Sequence, residues 1–238
     1  MRDAQPRTIF LKDYQVPDFL IETTDLHFTL GEEQTQVHST LSIRRNPKAN
    51  NAAAPLILQG QELTLKSVLM DGVVLALESY QVSADELTIA NVPEQFVLEC
   101  INDIKPQDNT SLEGLYKSKT MFCTQCEAEG FRKITYYLDR PDVMSVFTTT
   151  IVADRGRYPV LLSNGNNVES GINVDGNHWV KWHDPFRKPA YLFALVAGDL
   201  EYIEDQFITM SGRDVTLRIF VESKDIDKCD HAMTSLIH

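Results

Sequence analysis

Cysteine is scarce in this chain, which has only Cys100, Cys123, Cys126 and Cys229 among its 238 residues. Domains that depend on disulfides are short and dense in cysteine, so the composition excludes a disulfide framework as the basis of the fold. A hydrophobic fraction of 43% is enough for a conventional apolar core. The sequence therefore predicts a globular protein of a reducing compartment, with a cytoplasmic location.

Long apolar runs are also missing. No stretch approaches the roughly 18 consecutive apolar residues that span a bilayer. Residues 1–20 contain no apolar segment behind a basic start, so no secretory signal is visible. The longest apolar run, residues 190–197, has the length of a buried central strand. We expect no membrane partner.

Positive charge is in deficit, with 22 Lys and Arg against 34 Asp and Glu, which gives a formal net charge of −12. Binding to a phosphate backbone needs clustered positive charge, so a nucleic-acid partner is not expected. An acidic surface would attract cationic peptides instead.

Hydrophobic alternation with a period of two is frequent in the first hundred residues, for example over residues 25–30 and 37–44. This period is typical of half-buried strands. Asp71-Gly72 lies between two apolar segments, and such a pair favours a type I′ hairpin turn. The pattern predicts a mainly β fold, with a twisted, two-sheet, β-sandwich-like domain.

Gly198 is the predicted domain boundary, which divides the chain into residues 1–198 and 199–238. Beyond it, residues 202–209 and 215–221 predict a hairpin, and a helix is expected after Ser223. The sequence stops inside that helix without a C-cap signal. We interpret residues 199–238 as the truncated beginning of a second domain.

A C-x-x-C motif at Cys123 and Cys126 has three interpretations. A redox pair requires a thiol of low pKa, but Glu127 follows directly and would raise that pKa. A zinc knuckle requires a second ligand pair roughly 12–15 residues away, whereas His178 and His183 are much farther along the chain. Buried or incidental thiols, without redox or metal chemistry, are the interpretation that we favour.

Gln125, Glu127 and Glu129 are spaced two apart, so in an extended segment they share one face. Such a row of acceptors can receive an ammonium group, a metal ion or an arginine. It can equally pair with Arg132 or Arg140, or simply face water. Residue chemistry alone leaves these alternatives open.

Several blocks of sequence occur in a characteristic order. They are G-L-Y at 114–116, C-T-Q-C-E-A-E-G-F-R at 123–132, Y-P-V-L-L-S-N-G-N at 158–166, D-P-F at 184–186, K-P-A-Y-L-F-A-L-V-A-G-D at 188–199 and A-M-T-S-L at 232–236. Together they resemble the N-terminal region of bacterial-type aminopeptidase N, a family of zinc metalloaminopeptidases.

The resemblance implies a β-rich N-terminal domain over residues 1–198. Residues 199–238 would then supply the first strands and a truncated helix of a thermolysin-like α+β catalytic domain. It also implies that Gln125 and Glu127 bind the free α-amine of a peptide substrate. The implied partners are peptides with a free N-terminus and the protein's own catalytic domain.

The chain departs from the family pattern in one respect, because none of its six histidines belongs to an H-E-x-x-H motif. The resemblance therefore implies that the zinc ligands and catalytic residues lie beyond His238. We expect no catalytic residue, metal ligand or cofactor in this fragment, which alone should be inactive. The alternative is a stand-alone β-sandwich binding module that uses its acidic face.

Overall fold

The computed structural model describes residues 10–51 and 53–238. Residues 1–9 of the predicted first domain lie outside the described residues. They include the first part of residues 1–20, in which the sequence shows no secretory signal. The strands are β1 (Phe19–Thr29), β2 (Thr35–Arg45), β3 (Leu56–Gln59), β4 (Thr64–Met70), β5 (Val73–Val74), β6 (Tyr80–Val82), β7 (Glu86–Ile89), β8 (Gln95–Ile104), β9 (Gly114–Ser118), β10 (Met121–Gln125), β11 (Met144–Asp154), β12 (Val160–Ser163), β13 (Asn166–Ile172), β14 (Asn177–Pro189), β15 (Leu195–Gly198), β16 (Glu201–Ile208) and β17 (Asp214–Val221).

Helical structure is sparse in the described part of the chain. One α-helix, α1 (Cys229–Ile237), lies near the end, and no described helix is long and apolar enough to cross a membrane. The 3-10 helices are Leu11–Asp13, Leu77–Ser79, Pro106–Asp108, Gly130–Lys133, Ala190–Leu192 and Ser223–Lys228. The prediction of a mainly β fold is confirmed.

An eight-stranded sheet with the order β13-β14-β11-β1-β2-β8-β4-β5 forms the largest layer. Its pairings are antiparallel except for β1 and β11, which are parallel. A four-stranded sheet (β12-β15-β10-β9) and a three-stranded sheet (β3-β7-β6) contribute to the same core, while β16 and β17 form a separate hairpin.

The core lies between the large sheet and the two smaller sheets. Phe28 and Leu41 from the large sheet, Leu58 from β3 and Phe122 from β10 are all fully buried in one apolar cluster. The period-two alternation of β1 and β2 directs their apolar side chains into this cluster and leaves the opposite face polar and partly exposed. The arrangement is sandwich-like, with the second layer divided between two sheets.

The Asp71-Gly72 turn has the geometry predicted from its sequence. The φ angles are 51° and 77°, so both central residues lie in the left-handed region that a type I′ turn requires. The prediction of one strand over residues 190–197 is wrong. Ala190–Leu192 forms a 3-10 turn, and only Leu195–Gly198 joins the four-stranded sheet.

Glu32 is the centre of an ion-pair cluster. Its carboxylate accepts hydrogen bonds from Lys117 Nζ at 2.7 Å and from Tyr158 Oη at 2.5 Å, and Arg157 lies 3.3 Å away. The hydrogen bond from Lys117, followed by that from Tyr158, lowers the pKa of Glu32 to about 2. Glu32 therefore contributes to stability above its unfolded pKa, and this contribution is lost as the pH falls toward 2.

Replacing Glu32 with Gln should lower the free energy of unfolding at pH 7 by at most about 1 kcal/mol, because the side chain is 43% exposed and its ion pairs are screened. The difference from wild type should shrink between pH 5 and pH 2, where wild type loses the same contribution. Urea unfolding at pH 7 and pH 3 measures it. Glu33→Gln, one residue away and without an ion pair among the described residues, is the control. A Glu32→Gln deficit that does not shrink at low pH would contradict this account.

Candidate functional site

The segment with Gln125 and Glu127 lies where β10 ends. Gln125 is the last residue of β10 and pairs with Gly114 of β9. The chain then turns instead of continuing as a strand, and the N–H of Gly130 donates to the carbonyl of Cys126 at 2.9 Å. The prediction that Gln125, Glu127 and Glu129 share one face of an extended segment is therefore wrong beyond Gln125. We call residues 126–130 the 126–130 turn.

Close backbone packing holds the 126–130 turn against the end of β10. A Cβ atom added at Gly130 would lie 2.5 Å from the carbonyl oxygen of Gln125 and 2.9 Å from the backbone nitrogen of Gly114. No real side chain tolerates both contacts, so only glycine permits this approach. The position of the turn is thus set by backbone contacts as well as by side chains.

Gln125 and Glu127 are both exposed, and they lie on an open part of the surface. The amide of Gln125 donates a long hydrogen bond, 3.4 Å, to the backbone carbonyl of Glu127. The peptide bond between Glu127 and Ala128 is cis. Among the described residues, no side chain pairs with the Glu127 carboxylate, whereas Glu129 pairs with Arg132 at 3.3 Å. Glu129 thus forms the arginine pair considered from the sequence, while the side chains of Gln125 and Glu127 face water.

A buried ion pair lies directly after the turn. Asp139 has a side chain only 2% exposed, and its Oδ2 accepts from both the Nε of Arg132, at 2.9 Å, and the backbone N–H of Arg132, at 3.2 Å. Burial raises the pKa of Asp139, and Arg132 opposes that shift. Arg140, the other arginine considered from the sequence, binds Asp142 instead.

The cysteines of the C-x-x-C motif are free thiols in different environments. Cys126 is buried, and burial together with the nearby charge of Asp139 raises the pKa of its thiol to about 12. A thiol with that pKa stays protonated at neutral pH and is a poor nucleophile. Cys123 is partly exposed on β10. The environment of Cys126 supports the interpretation as a buried thiol without redox chemistry.

Metal-binding side chains are not clustered in residues 10–51 and 53–238, where no group of three or more His, Cys, Asp or Glu is placed to hold a metal ion. The two histidines considered with the C-x-x-C motif are engaged elsewhere. His178 Nε2 lies 2.7 Å from the carbonyl of Tyr158, and His183 Nδ1 lies 3.2 Å from Thr148 Oγ1. The described residues do not fit a zinc site.

The chain matches a family model described as the Peptidase M1 N-terminal domain over residues 20–192. This chain belongs to the M1 peptidase family. Aminopeptidase N of Caulobacter vibrioides is 50% identical over 236 residues, which are 99% of this chain and 27% of that protein. Aminopeptidase N of Escherichia coli is 48% identical over 232 residues, or 98% of this chain and 26% of that protein.

The M1 fold is also found among solved structures. Legionella pneumophila aminopeptidase A, in complex with aspartic acid, superimposes with a TM-score of 0.88 and 35% identity over 92% of this chain and 26% of its own. This chain thus spans about a quarter of the length of each of these three relatives. The resemblance to the N-terminal region of aminopeptidase N is confirmed.

Two features of the site have little signal in the sequence. The sequence offers Arg132 as a candidate partner of Gln125, Glu127 and Glu129, but no pattern in it indicates that Arg132 pairs with Asp139. The chain reverses between the two residues, and their contact depends on that reversal. Gly130 is not predicted to make a close backbone contact either, because a glycine after an acidic segment does not by itself indicate one.

Proposed function

We propose that this chain is the domain of a zinc aminopeptidase that recognises the free α-amine of a peptide substrate, through Gln125 and Glu127. The observation that supports it best is the exposed Glu127 carboxylate, which pairs with no side chain in residues 10–51 and 53–238 and lies on a turn whose ends are joined by a backbone hydrogen bond. An ammonium group is the ligand that such an acceptor suits, because charge-assisted hydrogen bonds are strong and directional. The similarity to aminopeptidase N agrees with it.

An ammonium group that pairs with a carboxylate on an open surface contributes little binding free energy, because water screens the charges. The same pair is stronger when a second surface excludes water. The proposal therefore includes a catalytic domain that covers Gln125 and Glu127, with the substrate's first residue between the two domains. We retain Gly198 as the boundary, since β15 ends there and β16 begins a separate hairpin.

Zinc enters this proposal only as the metal of the catalytic domain, because the described residues of this chain do not fit it. The part of this chain is to bind and orient the substrate amine. A cytoplasmic location belongs to the proposal as well, supported by four cysteines that are all free.

The direct test compares the isolated chain with the complete enzyme that contains it. We expect the complete enzyme to hydrolyse aminoacyl p-nitroanilides, to lose that activity with a zinc chelator and to regain it when zinc is added. The isolated chain should hydrolyse none and hold no stoichiometric zinc by elemental analysis. About one tightly held zinc per isolated chain would contradict the proposal. Tight binding of cationic peptides by the isolated chain, whether or not their N-termini are acetylated, would favour the binding-module alternative.

A further inference from the structure

The two ends of the 126–130 turn are fixed by different contacts. At its start, Cys126 is buried and its carbonyl accepts the N–H of Gly130. Near its end, Glu129 is exposed, and its carboxylate forms an ion pair with the guanidinium of Arg132 at 3.3 Å. Gly130 and the buried Phe131 anchor the backbone just after Glu129, and the ion pair with Arg132 restrains the Glu129 side chain. How far the exposed Glu127 can shift between these anchors therefore depends in part on how firmly Arg132 is itself held.

Arg132 is held by every part of its side chain and by its backbone. Nε and the backbone N–H donate to Asp139 Oδ2, Nη2 donates to the backbone carbonyl of Asp139 at 3.2 Å, and Nη1 faces Glu129. The carbonyl of Arg132 accepts the N–H of Gln61 at 2.9 Å. The contacts of Nε and Nη2 with Asp139 orient the guanidinium so that Nη1 is directed at Glu129 in the 126–130 turn.

Asp139 is itself held by a residue of β3. Its backbone N–H donates to Gln59 Oε1 at 3.2 Å, and Gln59 exchanges two backbone hydrogen bonds with Tyr137, at 2.8 and 3.0 Å. Hydrogen bonds therefore connect the three-stranded sheet to Asp139 and Asp139 to Arg132, and an ion pair connects Arg132 to Glu129 in the 126–130 turn.

We propose that Arg132, locked on Asp139, is a positioning residue for the amine site, because it holds Glu129 and thereby fixes the turn that presents Glu127. The inference rests on the proposed function. Glu127 has no side-chain partner of its own among the described residues, so its pre-organisation has to come from the backbone of the turn. If the turn is competent only part of the time, apparent affinity for the amine falls by that fraction.

Lysine cannot replace arginine in this role. Its single ammonium group lacks the planar fork that serves Asp139 and Glu129 in two directions at once. Arg132→Lys keeps the charge and most of the side-chain volume but loses the fixed geometry. It is therefore the conservative variant that separates positioning from charge.

The experiment measures the contribution of the substrate amine in the complete enzyme. Inhibition constants are determined for a leucine-derived hydroxamate and for its analogue without the α-amine. The constant of the amine-free analogue divided by that of the parent hydroxamate reports how much the α-amine contributes to binding, and we call this quotient the ratio. We expect Arg132→Lys to lower this ratio on the order of 3- to 10-fold. Glu127→Gln should lower it further. A general loss of stability would weaken both inhibitors equally and leave the ratio unchanged.

Arg140→Lys is the matched control. Arg140 forms a two-pronged pair with Asp142, with Nε to Oδ1 at 2.9 Å and Nη2 to Oδ2 at 2.7 Å, but makes no contact with the 126–130 turn. Its variant should keep the wild-type ratio.

The outcomes separate the two proposals. If Glu127→Gln leaves the ratio unchanged, the proposed function is wrong. If Glu127→Gln lowers the ratio and Arg132→Lys does not, only the positioning role is wrong. Should Arg132→Lys fail to fold, Glu129→Gln replaces it, because it alters an exposed side chain and weakens only the contact with Nη1. We expect a fall of about 2-fold for Glu129→Gln, and an unchanged ratio would overturn the positioning role.

Discussion

Replacing Glu127 with Gln in the complete enzyme should lower kcat/KM for peptides with a free N-terminus on the order of 10- to 100-fold. The substitution keeps the shape of the side chain and removes its charge. Truncating one partner of a desolvated charge pair costs about 2–5 kcal/mol. Gln125 remains as a second acceptor, so we expect a loss at or just below the lower end of that range, about 1.4–2.7 kcal/mol. The loss should appear in KM, and in kcat as well if the amine contact fixes the scissile carbonyl.

The measurement uses paired peptides with free and acetylated N-termini. Acetylation removes the ammonium group, so Glu127→Gln should affect the free peptide far more than the acetylated one. Glu113→Gln, a neighbouring exposed acidic residue that precedes β9, controls for general attraction between an acidic surface and a cation. Equal losses on both peptides, or no loss on the free one, would show that Glu127 has no amine-binding role.

Phe131→Ala should destabilise the chain by about 3–5 kcal/mol, the usual range for a large aromatic side chain removed from a core. Phe131 directly follows the 126–130 turn and is fully buried. Its ring contacts those of Tyr137, Phe193 and Phe147, with centroids 4.8, 5.4 and 6.0 Å away. Tyr137, Phe193 and Phe147 would therefore line the cavity that the substitution leaves.

Urea unfolding followed by circular dichroism gives the free energy of unfolding and the slope with denaturant. Phe131→Leu should cost less than Phe131→Ala because it leaves a smaller cavity. Phe186→Ala is the exposed control, since Phe186 is 78% exposed and its loss should change the free energy by no more than about 0.5 kcal/mol. A cost for Phe131→Ala similar to that of Phe186→Ala would mean that the aromatic cluster rearranges freely.

Side-chain alternation and turn-forming residues predict the strands and the hairpin turn that depend only on short segments of sequence. Alternation placed β1 and β2 correctly, and Asp71-Gly72 marked its hairpin, because side-chain period and positive φ are properties of short segments. The run 190–197 was misassigned because an apolar run indicates burial without indicating conformation. Its first part, Ala190–Leu192, is a turn that brings Phe193 into the aromatic cluster.

The candidate site was only partly accessible to sequence reasoning. Gln125 and Glu127 were singled out by their spacing and by the family resemblance, but their surroundings were not foreseen. Gly130 packs against the carbonyl of Gln125, where β10 ends, and the alternation of side chains gives no information about such a backbone contact. The pairing of Arg132 with Asp139, seven residues farther along the chain, is likewise a contact that side-chain alternation does not predict.

The parallel pairing of β1 with β11 has a consequence for how the chain folds. Thr24 is paired with Phe147, so the centre of the large sheet joins segments more than a hundred residues apart. β2 and β8 can assemble on one side of β1 early in synthesis, but the other side waits for β11 and then for β14. Until residue 154 has been made, β1 is an uncovered edge, the kind of strand that pairs with foreign chains. Contacts this distant slow folding, and the nascent protein is most exposed to aggregation in that interval.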